Sequence, residues 1–109
     1  MDSDQVRISF SVETEHCILR LEGALGVASA EDLRLTAMEL CACQKDVVVD
    51  WRGAQQLDAS IAQVLLSLRT GLVGRNRSLI CGEAMPPAIH DWLRTAGLSD
   101  VLGNPGRGA

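Results

Sequence analysis

Hydrophobic and polar residues alternate along two short segments near the start of the chain. Every second residue is apolar over residues 6–12, and again over residues 17–21. Side chains of a β-strand point alternately to its two faces, so this period of two predicts half-buried strands. The polar residues 13–15 predict a turn between the strands, and Gly23 marks the end of the second strand. The two strands are therefore predicted to pair as an antiparallel hairpin.

A different spacing predicts three helices. Apolar residues three or four positions apart form one face of a helix, and that face packs against a sheet. In the first helix, Ser29 is the predicted N-cap, because its hydroxyl can accept a hydrogen bond from a free amide. In the last helix, Pro86 and Pro87 mark the start and Gly97 the cap at the end. The apolar faces of these two helices are Leu33, Ala37, Leu40 and Cys41, and Ile89, Trp92, Leu93 and Ala96.

Residues 45–72 predict a buried strand followed by the second helix. The three consecutive valines 47–49 are typical of a strand that is buried on both faces. After a short loop, Asp58 can accept hydrogen bonds from the first amides of a helix, and its charge suits the positive end of the helix dipole. Glycine readily takes the left-handed conformation that ends a helix, so the end is expected near Gly71 or Gly74. The apolar face consists of Ile61, Val64, Leu65, Leu68 and Leu72.

The order of these elements predicts the fold class. With a short apolar strand at residues 78–81, the order is β-β-α-β-α-β-α. This order is typical of an α/β fold, with a four- or five-stranded mixed sheet and helices packed against it. A chain of 109 residues with 47% hydrophobic content can bury one core, which predicts a single domain over residues 1–102. Residues 103–109 have nothing to bury and are predicted to form a flexible tail.

Composition argues against several classes of partner. The net charge of −4 and the ten scattered Lys and Arg residues do not form the basic surface that binds nucleic acid. No apolar run approaches the ~20 residues that span a membrane, so no direct membrane insertion is expected. The first residues lack the basic and apolar regions of a secretory signal, which favours a cytoplasmic location.

No motif predicts catalysis, a metal site or a cofactor. The four cysteines lack the spacing of a zinc site and are expected to be reduced, mostly buried thiols. His16 and His90 belong to no recognisable catalytic triad, and the glycines of residues 71–76 lack the Gly-Lys-Ser/Thr ending of a phosphate-binding loop. An enzyme remains a possibility only if a histidine comes within hydrogen-bonding reach of Cys17 or Cys81.

Two short segments resemble motifs of the STAS domain, the module of bacterial anti-sigma-factor antagonists. In its phosphorylatable members the signature is Asp-Ser-Ser-Gly, and the first Ser accepts the phosphate. Residues 58–61 read Asp-Ala-Ser-Ile, so Asp58 is kept, Ala59 replaces the acceptor and Ile61 replaces the Gly. Residues 21–26 are similar to the family's Leu-x-Gly-Glu-Leu-Asp, but Gly26 replaces the Asp near the acceptor.

The resemblance implies a protein-binding regulatory module, without phosphorylation at Ala59. The implied partner is an anti-sigma factor or a related kinase-like protein. The alternative is a cytoplasmic STAS subunit of a lipid-transport ATPase complex, or of a chemotaxis or stress signalling scaffold. A competing possibility is that Ser60 has become the phosphate acceptor. The predicted partner-binding residues are Asp58, Ala59 and Ser60 at the helix start and Ala62, Leu66 and Arg69 on the helix flank expected to face away from the core.

Overall fold

The structure, a computed structural model, describes residues 6–81 and 85–102. The predicted fold class is confirmed: the chain forms a mixed five-stranded sheet with helices packed against it. The predicted order lacked one strand, β4, and one short helix, α4. The predicted tail at residues 103–109 lies outside the described residues. The elements are β1 (Arg7–Val12), β2 (His16–Ala24), α1 (Val27–Ala42), β3 (Asp46–Asp50), β4 (Ala54–Gln56), α2 (Ala59–Val73), β5 (Leu79–Ile80), α3 (Pro87–Thr95) and α4 (Ser99–Leu102).

The sheet consists of the β1–β2 hairpin and of further strands that run parallel to β2. Strands β1 and β2 are antiparallel, with Val12 opposite Cys17 beside the turn, as predicted. Strand β3 lies parallel to β2 and β5 lies parallel to β3, which gives the order β1-β2-β3-β5. The short strand β4 pairs with the end of β2, where Gly23 lies opposite Ala54. The segment predicted as a loop therefore includes a strand that extends the sheet.

The prediction that β3 is buried on both faces is wrong. Val47 and Val49 are fully buried, whereas Val48 between them is only partly buried. Strand side chains alternate between the two faces, and in this sheet the helix-covered face alone forms the core. We call the opposite side the open face. Its partly exposed residues include Ile18, Arg20, Val48 and Asp50.

Helix α1 starts three residues before the predicted position. Gly26 is the N-cap, and Val27 is the first helical residue, so Ser29 is not the cap. The amide of Ser29 donates to the carbonyl oxygen of Gly26 at 2.9 Å, which places Ser29 inside the first turn, where it is buried. The predicted apolar face is confirmed at Leu33, Ala37 and Leu40, which are buried, while Cys41 is half-buried.

The ends of α2 and α3 differ in the residue that takes the left-handed conformation. At α2, Gly74 stays right-handed with φ −63, and Asn76 turns the chain with φ 62. The amide of Arg77 then reaches the carbonyl oxygen of Leu72 at 2.8 Å, the six-residue bond of a Schellman cap. Asparagine tolerates this conformation, so the predicted glycine was not needed. At α3 the predicted cap is confirmed, because Gly97 has φ 78.

Candidate functional site

The first turns of α1 and α2 meet, and this brings together the two segments that resemble the family motifs. A Cβ atom placed on Gly26 would lie 3.5 Å from Oδ2 of Asp58. Residues that are far apart in sequence thus share one site at the same end of both helices. We call the exposed residues Val27, Ala28 and Ala59 at these two helix starts the N-terminal patch.

Asp58 caps α2 as predicted. Its Oδ1 accepts hydrogen bonds from the amides of Ser60 at 3.0 Å and Ile61 at 3.3 Å. The hydroxyl of Ser60 donates to the same oxygen at 2.6 Å. Oδ1 of Asp58 is therefore engaged by donors of its own helix, and a role for Asp58 in partner binding stays a prediction.

The same hydrogen bonds keep Asp58 ionised. The Ser60 hydroxyl makes the largest contribution to a lowered pKa of the Asp58 carboxyl, and the amides of Ile61, Ser60 and Val27 lower it further. Partial burial acts in the opposite direction, but it does not outweigh the hydrogen bonds. A negative charge at this position also interacts favourably with the positive ends of both helix dipoles.

Residues 59 and 60 differ in what they offer to a partner. Ala59 is exposed at the first position of α2 and carries no hydroxyl. Ser60 has a hydroxyl, but it is half-buried and its proton is directed at Asp58. The position that matches the family's phosphate acceptor is thus a small apolar surface.

The predicted partner-facing flank of α2 is wrong at Ala62, which is 2% exposed and belongs to the core. Leu66 is half-buried and packs against the core. Arg69 is also half-buried, and its positive charge acts to lower the pKa of the buried Cys81 thiol. This flank faces other parts of the fold, and periodicity alone could not distinguish it from the solvent side. A role for Leu66 and Arg69 in partner binding stays a prediction. The exposed residues of α2 are instead Ala59, Gln63, Ser67, Thr70 and Val73.

An apolar cleft between α1 and α2 was not predicted. At the far end from Asp58 the helices approach closely, because a Cβ on Gly71 would lie 3.0 Å from Sγ of Cys41. Between the two close approaches is a cleft of about 280 Å³. Met38, on its rim, is 59% exposed, and Val27 of the N-terminal patch is 75% exposed. In the sequence, Val27 and Met38 are apolar residues outside the predicted core face of α1, and they were the signal for an exposed apolar surface on this helix. Other residues that line the cleft are Arg34, Ala37, Cys41, Gln63, Val64, Ser67 and Leu68.

The open face carries an ionic cluster that was also missed. Arg52 holds both carboxylate oxygens of Asp50, with Nε at 2.9 Å and Nη2 at 2.8 Å. Nε of Arg20 lies 3.6 Å from Oδ2 of the same carboxylate. The hydrogen bonds from Arg52 are the main cause that lowers the pKa of Asp50 to about 2. The sequence pattern did not pair this acid, the last residue of β3, with its two arginines.

The raised pKa values of Cys17 and Cys81 do not favour a nucleophilic thiolate at either residue. Burial raises the pKa of Cys81 to about 12. Burial is also the largest cause of the raised pKa of Cys17, followed by the neighbouring thiol of Cys43. His16 and Cys17 are consecutive on β2, so their side chains point to opposite faces. In residues 6–81 and 85–102, no cluster of three His, Cys, Asp or Glu residues could hold a metal ion, and no helix could cross a membrane.

Comparisons with known proteins agree with this architecture. A family model described as "Mlab, STAS domain" matches residues 8–103. The anti-sigma factor antagonist SpoIIAA in its unphosphorylated form is similar, with a TM-score of 0.72 and 16% identity over 92% of this chain and 87% of that chain. Its phosphorylated form, from Bacillus, has a TM-score of 0.66 and 16% identity over 92% of this chain and 90% of that chain.

A third solved structure is an anti-sigma factor antagonist from Mycobacterium paratuberculosis. It has a TM-score of 0.74 and 14% identity, covering 91% of this chain and 84% of that chain. At these identities the solved structures show a shared fold and nothing finer. No curated protein matches the chain.

Proposed function

Because the chain belongs to the STAS domain family, we propose that it is a protein-binding regulatory module that works without a phosphate at residue 59. The observation that carries this proposal is Ala59, which is exposed where phosphorylatable members have a hydroxyl. The module has no catalytic residues of its own in this account. It acts by occupying a surface of another protein.

The N-terminal patch is the proposed contact surface. Val27 and Ala59 are exposed and apolar, and they flank a carboxylate whose Oδ1 already accepts three hydrogen bonds. Apolar surface next to satisfied polar groups favours protein association, because burying it removes hydrophobic area from water without leaving a polar group unpaired. The solved relatives are antagonists of anti-sigma factors. The proposed partner is therefore an anti-sigma factor or a related kinase-like protein.

Ser60 is a poor replacement for the missing acceptor. A phosphate on its oxygen would add a charge of about −1.5 to −2 next to the ionised Asp58. The same modification would remove the proton that Ser60 now donates to Oδ1 at 2.6 Å. Phosphorylation would thus destabilise the start of α2, rather than only add a charge to an exposed surface.

The second candidate function is a subunit of a lipid-transport ATPase complex, and a chemotaxis or stress signalling scaffold belongs to the same class. The replacement of the acceptor by Ala59 favours this class, because a constitutive subunit does not need a phosphate switch. The same N-terminal patch would then bind a neighbouring subunit. The identity of the protein bound distinguishes the two candidates.

A binding experiment with one added charge tests the contact surface. The protein is used to capture partners, and the affinity of each purified partner is then measured for wild type, Ala59→Glu and Thr70→Glu. Glu at residue 59 places a charge on the N-terminal patch and should weaken binding by at least about tenfold. Thr70→Glu adds the same charge at an exposed site further along α2 and should bind normally. Equal affinities for Ala59→Glu and wild type would contradict the proposal.

A further inference from the structure

We propose that the outer face of α1 is a second contact surface, which binds an amphipathic helix of another protein that has an apolar face and one basic edge. This outer face consists of Asp32, Leu35, Met38 and Glu39, all of which are exposed. Leu35 and Met38 lie roughly 12 and 16 Å along the helix axis from Val27. The surface is therefore separate from the helix starts on which the proposed function depends.

Helix α1 is apolar on the side that faces solvent as well as on the side that faces the core. Of the five large apolar residues that are exposed in the described part of the chain, three belong to α1. Leu35 is 48% exposed and Met38 is 59% exposed. A helix that only packs against a sheet carries polar residues on its outer side, and grouped apolar residues there are typical of a contact surface.

The apolar cleft between α1 and α2 continues this surface. Met38 belongs to both, and the uncharged residues Gln63 and Ser67 line the cleft from α2. The cleft of about 280 Å³ is smaller than most small-molecule sites, which enclose roughly 300–1,000 Å³. It therefore suits apolar side chains of a docked helix better than a whole small ligand. A helix that lays its apolar face into a groove is a common mode of protein recognition.

The charges beside the apolar residues indicate the chemistry of the partner. At about 100° per residue, Glu39 and Asp32 follow Leu35 by roughly 40° and 60° around the helix, on the side away from the cleft. Within the described part of the chain, neither acid forms an ion pair. The charge of Glu31 is already balanced by Arg34, at 2.6 Å. One edge of the surface is therefore acidic, which favours a partner with a basic edge.

A basic amphipathic helix fits this surface better than other occupants do. A second copy of the chain would bring the same acids, and Arg34, the cation that lines its cleft, is already paired with Glu31. An anionic lipid surface would be repelled by Asp32 and Glu39. Lys or Arg along one edge of a partner helix would pair with both acids, while the apolar residues of that helix enter the cleft.

Binding of a designed peptide to the full chain tests this surface. The probe is a helical peptide with leucines on one face and lysines along one edge, and a second peptide carries glutamates in place of the lysines. Calorimetry measures the affinities, and NMR amide shifts locate the contact. We expect the lysine peptide to shift amides of residues 34–41 and 63–68, and to bind at least about tenfold more tightly than the glutamate peptide.

Variants of the protein separate the apolar and the charged parts of the surface. The double variant Leu35→Ser, Met38→Ser should weaken binding of the lysine peptide at least about tenfold. Asp32→Asn with Glu39→Gln should weaken it by at least about threefold and reduce its dependence on salt. Val73→Ser is the control, because Val73 is 53% exposed on α2 and does not line the cleft. It should bind normally, and all these side chains are exposed enough for the variants to fold.

Several results would overturn the proposal. These are no binding of the lysine peptide, equal affinities for the two peptides, or amide shifts outside the α1 and α2 segments. A loss in Val73→Ser as large as that in the Leu35→Ser, Met38→Ser variant would show unspecific apolar binding. Binding of phosphatidylglycerol vesicles that the double variant abolishes would assign the surface to lipid. Self-association that the same variant abolishes would assign it to a second copy.

Discussion

The two faces of the sheet use the same strands for different purposes. On the covered face, Val47 and Val49 are buried beneath the helices, and the site at Asp58 lies at one end of that layer. On the open face, Val48 and Asp50 come from the same strand but remain in contact with solvent. Alternate residues therefore contribute either to the core or to surface charge. The two ionised acids also differ in their donors: Ser60 and Ile61 at the start of α2 hold Asp58, whereas arginines on the open face hold Asp50.

The largest expected contrast is between neighbouring valines of β3. Val49→Ala should lower the free energy of unfolding by about 2–3 kcal/mol, because it removes buried methyl groups and leaves a cavity. Val48→Ala should cost at least ~1 kcal/mol less, because that side chain is already partly in water. Urea denaturation of both variants measures the difference. Equal losses would show that the open face is as buried as the core.

The two acids should differ in the same direction. Asp58→Ala is expected to lower the free energy of unfolding by about 1–3 kcal/mol, since it removes an N-cap and leaves helix amides without partners. Asp50→Ala should cost less, about 1 kcal/mol, because the Arg52 guanidinium that holds Asp50 is itself largely exposed to solvent. Thermal and urea unfolding can both rank the pair. A greater loss at Asp50 would reverse the comparison.

The pH dependence of stability should reveal the ion pairs of Asp50. Its pKa is lowered to about 2 in the folded protein, so the unfolded chain binds its proton first as the pH falls. The contribution is fully present above the unfolded pKa near ~4 and is lost as the pH falls toward the folded value. The difference in stability between wild type and Asp50→Asn should therefore shrink between about pH 5 and pH 2. A constant difference over this range would mean that the carboxylate is not held by Arg20 and Arg52.

The smallest effect is expected at residue 59. Ala59→Ser restores the hydroxyl of the phosphorylatable family members at an exposed position and should change the free energy of unfolding by no more than about 0.5 kcal/mol. Alanine would then be present for the sake of binding or regulation and not for folding. A large loss of stability in this variant would show that the fold itself requires Ala59.

Features that depend on local sequence patterns were predicted better than contacts between distant segments. The cap at Asp58 and the apolar face of α2 follow from residues within one or two turns, and both are confirmed. The close approach of Gly26 to Asp58 joins distant segments, so no periodicity could indicate it. Ala62 was placed on the surface because a helix pattern gives the core side but not which flank is covered by another element. Three valines in a row could not distinguish a strand buried on one face from one buried on two.

Phosphorylation of the intact protein tests the central claim most directly. The protein is incubated with ATP and its proposed kinase-like partner, and any phosphate is located by mass spectrometry. Ala59→Ser serves as the positive control, because it restores the family's acceptor. The account predicts phosphate on residue 59 of this variant, no stoichiometric phosphate on wild type, and unchanged partner binding by wild type after incubation. Stoichiometric phosphate on Ser60 of the wild-type protein, with loss of partner binding, would contradict it.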